Sequence, residues 1–246
     1  MKLKADYHIH STYSKHNHGK STIEEIIQKS IDMGLKEIAV TDHGPGHFLY
    51  GIKRDNIIKA KNEITELRKK YPNIKILFGV EANIINHSGD IDIDDDMIEL
   101  FDIILCGYHI GVIFSGLYDL WNFFFMNIIC RLSKSLTEKQ IEKNTSAVVN
   151  ALNKNKIYIL THPGDKIPVD MDKVSYAAQK NKTLLEISNH HSHLNTEEIK
   201  VAAKYEVSFV INSDSHIKDN IGGFENGLKA AKEAGLNINR IINLEI

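Results

Sequence analysis

The sequence predicts one α/β domain, a βα barrel with about seven strands, and three observations support this prediction. The chain has 246 residues, which is an ordinary length for a single barrel of this class. Short apolar runs rich in β-branched residues alternate with longer segments of helical periodicity, as in repeated βα units. No linker, low-complexity segment or internal repeat divides the chain, so residues 1–246 are expected to form one domain.

Seven apolar runs are the candidate strands of this barrel. They are short, bounded by polar or glycine-containing stretches, and rich in Ile, Val and Leu, as buried parallel strands usually are. They span residues 3–9, 37–41, 75–80, 102–106, 157–160, 183–187 and 207–211.

Helical patterns separate the candidate strands. Ser21 and Glu24 have the spacing of a capping box that opens a helix, and Gly34 ends it. Asn195 and Glu198 have the same spacing at the start of a later helix. The other candidate helices span residues 54–70, 137–154 and 223–234, and the Asn195 helix runs to residue 204.

Composition limits the class of protein. A hydrophobic fraction of 42% and a charged fraction of 25% are typical of a soluble globular domain. The formal net charge of −2 means that the chain has no excess of positive charge of the kind that binds nucleic acid or acidic lipid. Cys106 and Cys130 are too few for a disulfide framework, and the first residues contain no apolar signal-peptide core. We therefore expect a reduced, cytoplasmic protein.

One stretch, residues 110–130, is mostly apolar and aromatic, and its length is close to that of a membrane span. Asp119, Asn122 and Asn127 interrupt it, and a central Asp costs about 3 kcal/mol on membrane-insertion scales. The stretch also lies between two barrel elements, so a span would have to leave and re-enter the fold. We therefore expect a lid over the barrel mouth or an oligomer contact, in an aromatic-rich insertion at about residues 110–135.

Histidines and acids recur at or just past the ends of the apolar runs. In an α/β barrel the carboxyl ends of the strands converge on one face, so these side chains are expected to meet there. Each one alone is ambiguous, but surface histidines scattered at random would not repeatedly follow strands. The candidates are His8, His10, His16, His43, Glu81, His109, His162, Asp214 and His216.

Imidazole and carboxylate side chains in this number indicate a multinuclear metal site. Residues two apart in a strand share a face, so His8 and His10 can serve one cavity. Nine candidate ligands supply about three for each of three divalent ions, with Glu81 bridging two of them. Nitrogen and oxygen ligands suit zinc, manganese or iron.

Other polar residues have alternative interpretations. Asp6 can orient a ligand histidine or can serve as a turn carboxylate at the strand edge. His18 is the alternative to His16 as a ligand. His47, His87 and the loop histidines 190, 191 and 193 are candidates for substrate contact or for solvent-facing positions. Lys15, Arg54 and Lys166 are candidates for phosphate contact, with a solvated surface position as the alternative.

These motifs resemble those of the PHP (polymerase and histidinol phosphatase) superfamily, and within it the YcdX-type phosphatases. The match runs in order over nearly the whole chain through His8-Ile9-His10, Thr41-Asp42-His43, Glu81, His109, Thr161-His162-Pro163-Gly164 and Asp214-Ser215-His216. The resemblance implies a distorted seven-stranded (β/α)7 TIM-like barrel and a centre of three metals, often zinc. The aromatic stretch after His109 has no identified counterpart.

The resemblance also implies how the ligands divide and favours His16 over His18. One metal would be held by His8, His10, Glu81 and Asp214, a second by Glu81, His109 and His162, and a third by His16, His43 and His216.

An enzyme that hydrolyses a small phosphate monoester with a metal-activated water is the leading functional prediction. Glu81, Asp214 and His216 are the candidate catalytic residues, and no nucleic acid or membrane partner is expected. The first alternative is a phosphodiesterase or exonuclease on the same metals, although nucleic-acid backbones normally recruit several Lys and Arg side chains. The second is a regulatory metal-binding domain without turnover, which has little need for the complete ligand set.

Overall fold

The structure is a computed structural model that describes residues 1–245. Its strands are β1 (Lys2–Leu3), β2 (Ala5–Ile9), β3 (Glu37–Val40), β4 (Lys75–Asn83), β5 (Ile103–Gly107), β6 (Ile159–Leu160), β7 (Leu184–Ser188), β8 (Phe209–Asn212) and β9 (Leu244–Glu245). Its α-helices are α1 (Ile23–Asp32), α2 (Arg54–Lys70), α3 (Asp95–Ile98), α4 (Leu117–Leu120), α5 (Met126–Ile129), α6 (Lys134–Lys154), α7 (Met171–Asn181), α8 (Thr196–Ala202) and α9 (Glu225–Glu233).

Strands β2 to β8 form one parallel seven-stranded sheet in which sequence order is also spatial order. The sheet curls until its two edges approach one another. There, His10 N donates to Ser215 O at 2.9 Å, and Ser215 N donates to His8 O at 3.2 Å. The predicted (β/α)7 barrel is therefore confirmed, and it is nearly closed. The predicted strand 3–9 is divided at Lys4: Leu3 belongs to the two-residue strand β1, which pairs antiparallel outside the barrel with β9, a strand that was not predicted.

Apolar side chains fill the barrel beneath its carboxyl-terminal mouth. A cluster separate from the main core consists of Ala5, Tyr7, Ala39, Ile103, Leu105, Ile159, Leu184 and Val210. Side chains two residues apart share a face of a strand, so Glu186 of β7 lies one step above Leu184. The polar side chains therefore lie above the apolar layer, at the mouth of the barrel. The main core lies between the sheet and the helices.

The helices begin at side chains that satisfy free backbone N–H groups. For α1, the capping box consists of Thr22 and Glu25, so the predicted box is displaced by one residue. The predicted box of α8, Asn195 with Glu198, is present. Helix α7 was not predicted, although Asp170 caps it through N–H groups of its first turn.

Residues 117–132 form a continuous helical segment on the surface between β5 and α6. It comprises α4, a π turn (Trp121–Phe125), α5 and a 3-10 turn (Cys130–Leu132). Phe123 anchors it, because its side chain is buried in the core and its carbonyl accepts from the Tyr108 hydroxyl at 2.6 Å. Within residues 1–245, no helix has the length and apolar character needed to cross a bilayer.

Candidate metal centre

The mouth of the barrel gathers eight of the nine predicted ligands into one cluster. Seven of them are buried, and His216 is partly exposed. The cluster borders a cavity of about 240 Å³. The eight ligands are His8, His10, His43, Glu81, His109, His162, Asp214 and His216.

Glu81 is the hub of this cluster. It lies within β4, which continues to Asn83 and is three residues longer than predicted. Its Oε1 is 3.1 Å from Nε2 of both His109 and His162. Its Oε2 is 3.2 Å from His8 Nε2 and 2.9 Å from His43 Nδ1. Each oxygen of one buried carboxylate therefore faces two imidazoles, an arrangement in which it can bridge cations.

Asp214 is the second carboxylate of the cluster. Its Oδ1 is 3.2 Å from His10 Nε2 and 3.4 Å from His8 Nε2. Its Oδ2 is 3.0 Å from His191 Nε2. The residue has a φ of +49°, a left-handed backbone conformation that is uncommon outside glycine. This backbone turn lies two residues after the last residue of β8, and the carboxylate lines the mouth.

The structure places His18, and not His16, in the cluster. The side chain of His16 is exposed, and its backbone has a φ of +55° in the loop between β2 and α1. His18 Nε2 is 2.8 Å from His216 Nε2, and its ring stacks on Tyr50 at a centroid distance of 4.0 Å. The preference for His16 is therefore corrected: two further residues of loop are needed before the chain returns to the mouth.

Hydrogen bonds fix the orientation of several of these imidazoles. Nδ1 of His8 is 2.9 Å from Glu186 Oε1, and Nδ1 of His109 is 2.7 Å from Asn83 Oδ1. Nδ1 of His216 is 2.9 Å from the Asp214 carbonyl oxygen. When Nδ1–H donates in this way, Nε2 is left with its lone pair facing the cluster. Ligand histidines in metalloproteins are usually held by such bonds.

Glu186 was missed from the sequence, and it takes the role that was considered for Asp6. Besides contacting His8, Glu186 accepts from His162 N at 3.0 Å and from Asn212 Nδ2 at 2.8 Å. Asp6 instead accepts from backbone N–H groups, including Gly222 N at 3.0 Å, and contacts no imidazole. A signal for Glu186 was present, since a Glu inside an apolar strand needs a buried partner, the same argument that identified Glu81.

The other candidate residues divide between the mouth and more distant positions. His47 lines the cavity and stacks on His43 at 4.9 Å. His87 does not line it, because its Nδ1 contacts Asp119 at 2.8 Å and its ring stacks on Phe123. Arg54 pairs with Asp94 at 2.9 Å.

Among the remaining loop residues, Lys166, His190 and His191 line the cavity, but Lys15 does not. His193 is engaged by Glu198 at the start of α8. The loop histidines that follow β7 are therefore divided, with two at the mouth and one at a helix cap.

His191 joins the cluster with a partner of its own. Nε2 of His191 faces Asp214, and Nδ1 is 3.3 Å from Asp165 Oδ2. Burial opposes its charged form, but the bonds to Asp165 and Asp214 outweigh this effect and raise the pKa of His191 to about 9. With His162 and Asp214 it forms a further group of convergent ligand atoms. Its position in a three-histidine loop gave only a weak signal in the sequence.

Burial lowers the pKa of several other histidines of the cluster. It lowers the pKa of His109 to about 4 and that of His18 to about 3, and neighbouring imidazoles add to the effect on His18. Burial also lowers the pKa of His10. Burial opposes ionisation of Glu81, but neighbouring imidazoles, first of all His8, hold its pKa well below its usual range. Burial opposes the charged form of His8 too, but Glu81, Asp214 and Glu186 outweigh it and raise the pKa of His8 well above its usual value. The metal-free cluster therefore combines anionic carboxylates and the neutral imidazoles of His10, His18 and His109, which are the protonation states that bind metal, with a charged His8 whose proton a cation would displace.

Several buried polar atoms of the cluster have no hydrogen-bond partner, which is expected of a site that binds cations. They include Nε2 of His8, Nδ1 of His43, Nε2 of His109 and Oε2 of Glu81. Two ligands of one tetrahedral zinc ion lie roughly 3.3 Å apart, given bonds of about 2.0–2.1 Å. The separations of 2.9 to 3.2 Å around Glu81 are close to this value. Within residues 1–245, no Lys or Arg forms an ion pair with Glu81, Asp214 or Glu186, so divalent cations fit the site in charge as well.

Comparison with known proteins gives concordant results. The model of the PHP domain family matches residues 6–243. A protein of Thermoanaerobacter sp. (strain X514) named "Probable phosphatase" is 30% identical over 260 residues, covering 100% of this chain and 92% of that protein. A protein of Acetivibrio thermocellus with the same name is 28% identical over 254 residues, covering 100% of this chain and 93% of that protein. These names agree with the predicted class of enzyme, a hydrolase.

Solved structures share the fold. The histidinol phosphate phosphatase of Lactococcus lactis, solved with zinc, L-histidinol and phosphate, superposes with a TM-score of 0.60 at 16% identity, covering 96% of this chain and 95% of that chain. A structure from Listeria monocytogenes has a TM-score of 0.64, also at 16% identity, over 89% of this chain and 97% of that chain. With the family match extending over nearly all of the sequence, the chain belongs to the PHP domain family.

Proposed function

We propose that this protein hydrolyses small phosphate monoesters at a centre of three divalent metal ions, most simply zinc, with manganese or iron as alternatives. The observation that carries the proposal is the geometry of Glu81, whose two buried oxygens each face two imidazoles. The phosphatase names of full-length relatives support the reaction class. The zinc, L-histidinol and phosphate bound to the Lactococcus protein support the metal and the kind of substrate.

The ligands divide into three sets, and the first two share Glu81. His8, His10, Glu81 and Asp214 would hold one ion; Glu81, His109 and His162 a second; and His18, His43 and His216 a third. This division keeps the sets predicted from the sequence, with His18 in place of His16. When bound, such ions supply a nucleophilic water at neutral pH and offset charge on the phosphoryl group.

The protein's own side chains supply orientation and proton chemistry. Glu186 and Asn83 hold the imidazoles of His8 and His109. Asp214 faces both the ligand cluster and His191, so its Oδ2 is placed to hold a proton or a water at the mouth. His216 completes the catalytic group proposed with Glu81 and Asp214. Lys166, which also lines the mouth, is placed to contact phosphate oxygens.

The size and charge of the mouth favour a small monoester over nucleic acid. A cavity of about 240 Å³ lies below the usual range of ligand pockets, roughly 300–1,000 Å³. Among the described residues that line it, Lys166 is the only Lys or Arg. A nucleic-acid backbone normally meets several such side chains. Histidinol phosphate is one candidate substrate, supported by the ligands of the Lactococcus protein.

Paired phosphate substrates test this proposal. The zinc-loaded protein should release p-nitrophenol from p-nitrophenyl phosphate at least tenfold faster than from bis(p-nitrophenyl) phosphate. It should degrade single-stranded DNA slowly or not at all. Glu81→Gln should abolish turnover, because the neutral amide cannot bridge cations, whereas Glu197→Gln, at an exposed position of α8, should not. Preference for the diester or for DNA would favour the nuclease alternative, and a metal-loaded protein without turnover would favour the regulatory one.

A further inference from the structure

The helical segment 117–132 presents an apolar stripe to solvent. At helical spacing, Leu117, Trp121, Phe125, Ile128 and Leu132 are 83, 52, 41, 58 and 84% exposed. A helix on the surface of a globular protein normally presents its apolar stripe to the core. Here the apolar stripe lies on the outside, so this segment departs from the usual amphipathic pattern.

The inner face of the same segment is held by amide side chains. Buried Asn127 and Asn144 exchange two hydrogen bonds, at 2.7 and 3.2 Å. Gln140 Nε2 donates to the Asn122 carbonyl oxygen at 2.9 Å, and Lys143 Nζ donates to Asn122 Oδ1 at 2.7 Å. Rotating the segment to bury its apolar stripe would break these buried bonds, at a cost of about 1–3 kcal/mol for each unsatisfied group. The outward orientation of the stripe is therefore specified by the sequence.

The apolar surface continues from the segment to the rim of the metal centre. Phe48, Ile110 and Ile113 are also exposed, and Phe48 N donates to Gly111 O at 3.0 Å, which joins the two rim loops. Ile110 and Lys166 border both the mouth cavity and a smaller cavity against the segment. An occupant of the stripe would therefore lie beside the mouth.

We propose that the stripe is a self-association face, on which a second copy of this chain packs the same segment about a twofold axis. The exposed parts of the five stripe side chains amount to roughly 640 Å², taking about 200 Å² for each fully exposed side chain. This lies within the roughly 600–1,000 Å² that each partner contributes to a stable interface. Tyr118 and Leu120, which flank the stripe and are 66 and 37% exposed, can add to it.

The charges of the segment favour a second copy over a membrane surface. A twofold axis sets each residue near its own counterpart, so a charge at the centre of the face would meet a like charge. The stripe carries none, and the one acid of the segment, Asp119, is turned toward His87. Interfacial membrane helices usually carry Lys and Arg along their polar face, but here that face consists of buried neutral amides. Arg131 and Lys134 lie only at its end.

Sedimentation of the metal-loaded protein tests the proposal. The wild type should sediment as a dimer, and Trp121→Glu and Ile128→Glu should each raise the dissociation constant at least tenfold, because each brings like charges together in the interface. Ile58→Glu, on α2 at 47% exposure, is the matched control and should remain dimeric. Leu117→Glu provides a further variant if Trp121→Glu does not fold, since Leu117 is 83% exposed. Metal content and circular dichroism establish that each variant is folded.

Three results would overturn the proposal. The first is a wild type that stays monomeric across a wide range of protein concentrations. The second is a dimer that persists unchanged in the folded segment variants. The third is a monomer that co-sediments with phosphatidylglycerol vesicles through the stripe, which would identify a membrane surface as the occupant. None of these outcomes depends on phosphatase activity, so the self-association claim stands or fails separately from the proposed function.

Discussion

At residue scale, the cluster depends on the fact that buried carboxylates cannot remain without counter-charge. Glu81, Asp214 and Glu186 are all buried, and imidazoles surround them. An unpaired buried charge costs several kcal/mol, so either imidazolium or a cation must compensate it. Without metal, the raised pKa values of His8 and His191 supply part of this compensation as imidazolium. His10, His18 and His109 are held neutral by burial, so a bound cation would supply the rest.

Alanine substitution of each loop histidine in turn tests whether His18 or His16 is a metal ligand. His18→Ala should reduce bound metal by about one ion per chain, because His18 faces His216 in the third ligand set. His16→Ala should leave the metal content unchanged, because that side chain is exposed. Plasma mass spectrometry of both variants after identical zinc loading provides the measurement. A loss of metal in His16→Ala alone would restore the sequence-based choice.

The stability of the metal-free protein should fall as the pH is lowered from 7 to 5. Burial lowers the pKa of His109 from 6.5 in an unfolded chain to about 4 in the fold. Between these values the unfolded state binds a proton that the folded state does not, so acid favours unfolding in this window. His109 alone contributes about 2 kcal/mol of lost stability at pH 5. His18 and His47, whose pKa values burial lowers to about 3, act in the same direction. His8 and His191, whose pKa values are raised, act in the opposite direction, but most of their gain is already present at pH 7.

Urea unfolding in the presence of chelator, at pH 7 and pH 5, measures this effect. His109→Gln, which removes the titrating group, should show a smaller pH dependence than the wild type. A free energy of unfolding that is constant or that rises toward pH 5 would contradict the assigned shift.

At the scale of elements, the sequence predicted most of the barrel because buried strands and charged helices have clear patterns. All seven barrel strands were identified, with small errors at their ends. Helix α7 was missed because its buried face consists largely of small residues, Ala177 and Ala178 beside Val174, which give a weak periodic signal. The choice of His18 depended on the path of the loop after β2, where left-handed residues turn the chain, and spacing alone does not reveal such a path.

The loop after β4 offers a test of packing between elements. Gly89 has a φ of +82°, and a Cβ there would overlap backbone atoms of Asn150 and Ala151 in α6. Gly89→Ala should therefore cost at least about 2 kcal/mol of unfolding free energy. Gly34→Ala is a matched control, because Gly34 has a φ of +77° with open space around it and should cost about 1 kcal/mol. Equal losses of unfolding free energy for the two variants in urea would show that the loop does not pack closely against α6.

At the scale of the whole molecule, barrel closure brings together residues that are far apart in sequence. Asp214 meets His8 and His10 because Ser215 pairs with the first barrel strand and closes the ring. The sequence order of the strands therefore determines which ligands become neighbours. The apolar stripe does not follow from the order of the strands. The composition of residues 110–130 predicted a lid or an oligomer contact, but periodicity did not predict which side chains face outward.

The most direct test of the central claim is the metal content of the purified protein, measured by plasma mass spectrometry together with p-nitrophenyl phosphate turnover before and after chelation. The arrangement around Glu81 and Asp214 predicts about three divalent ions per chain, turnover that disappears with the metal, and recovery of turnover when zinc or manganese is restored. A protein that binds no divalent metal after reconstitution, or whose turnover is unaffected by complete removal of the metal, would contradict the account.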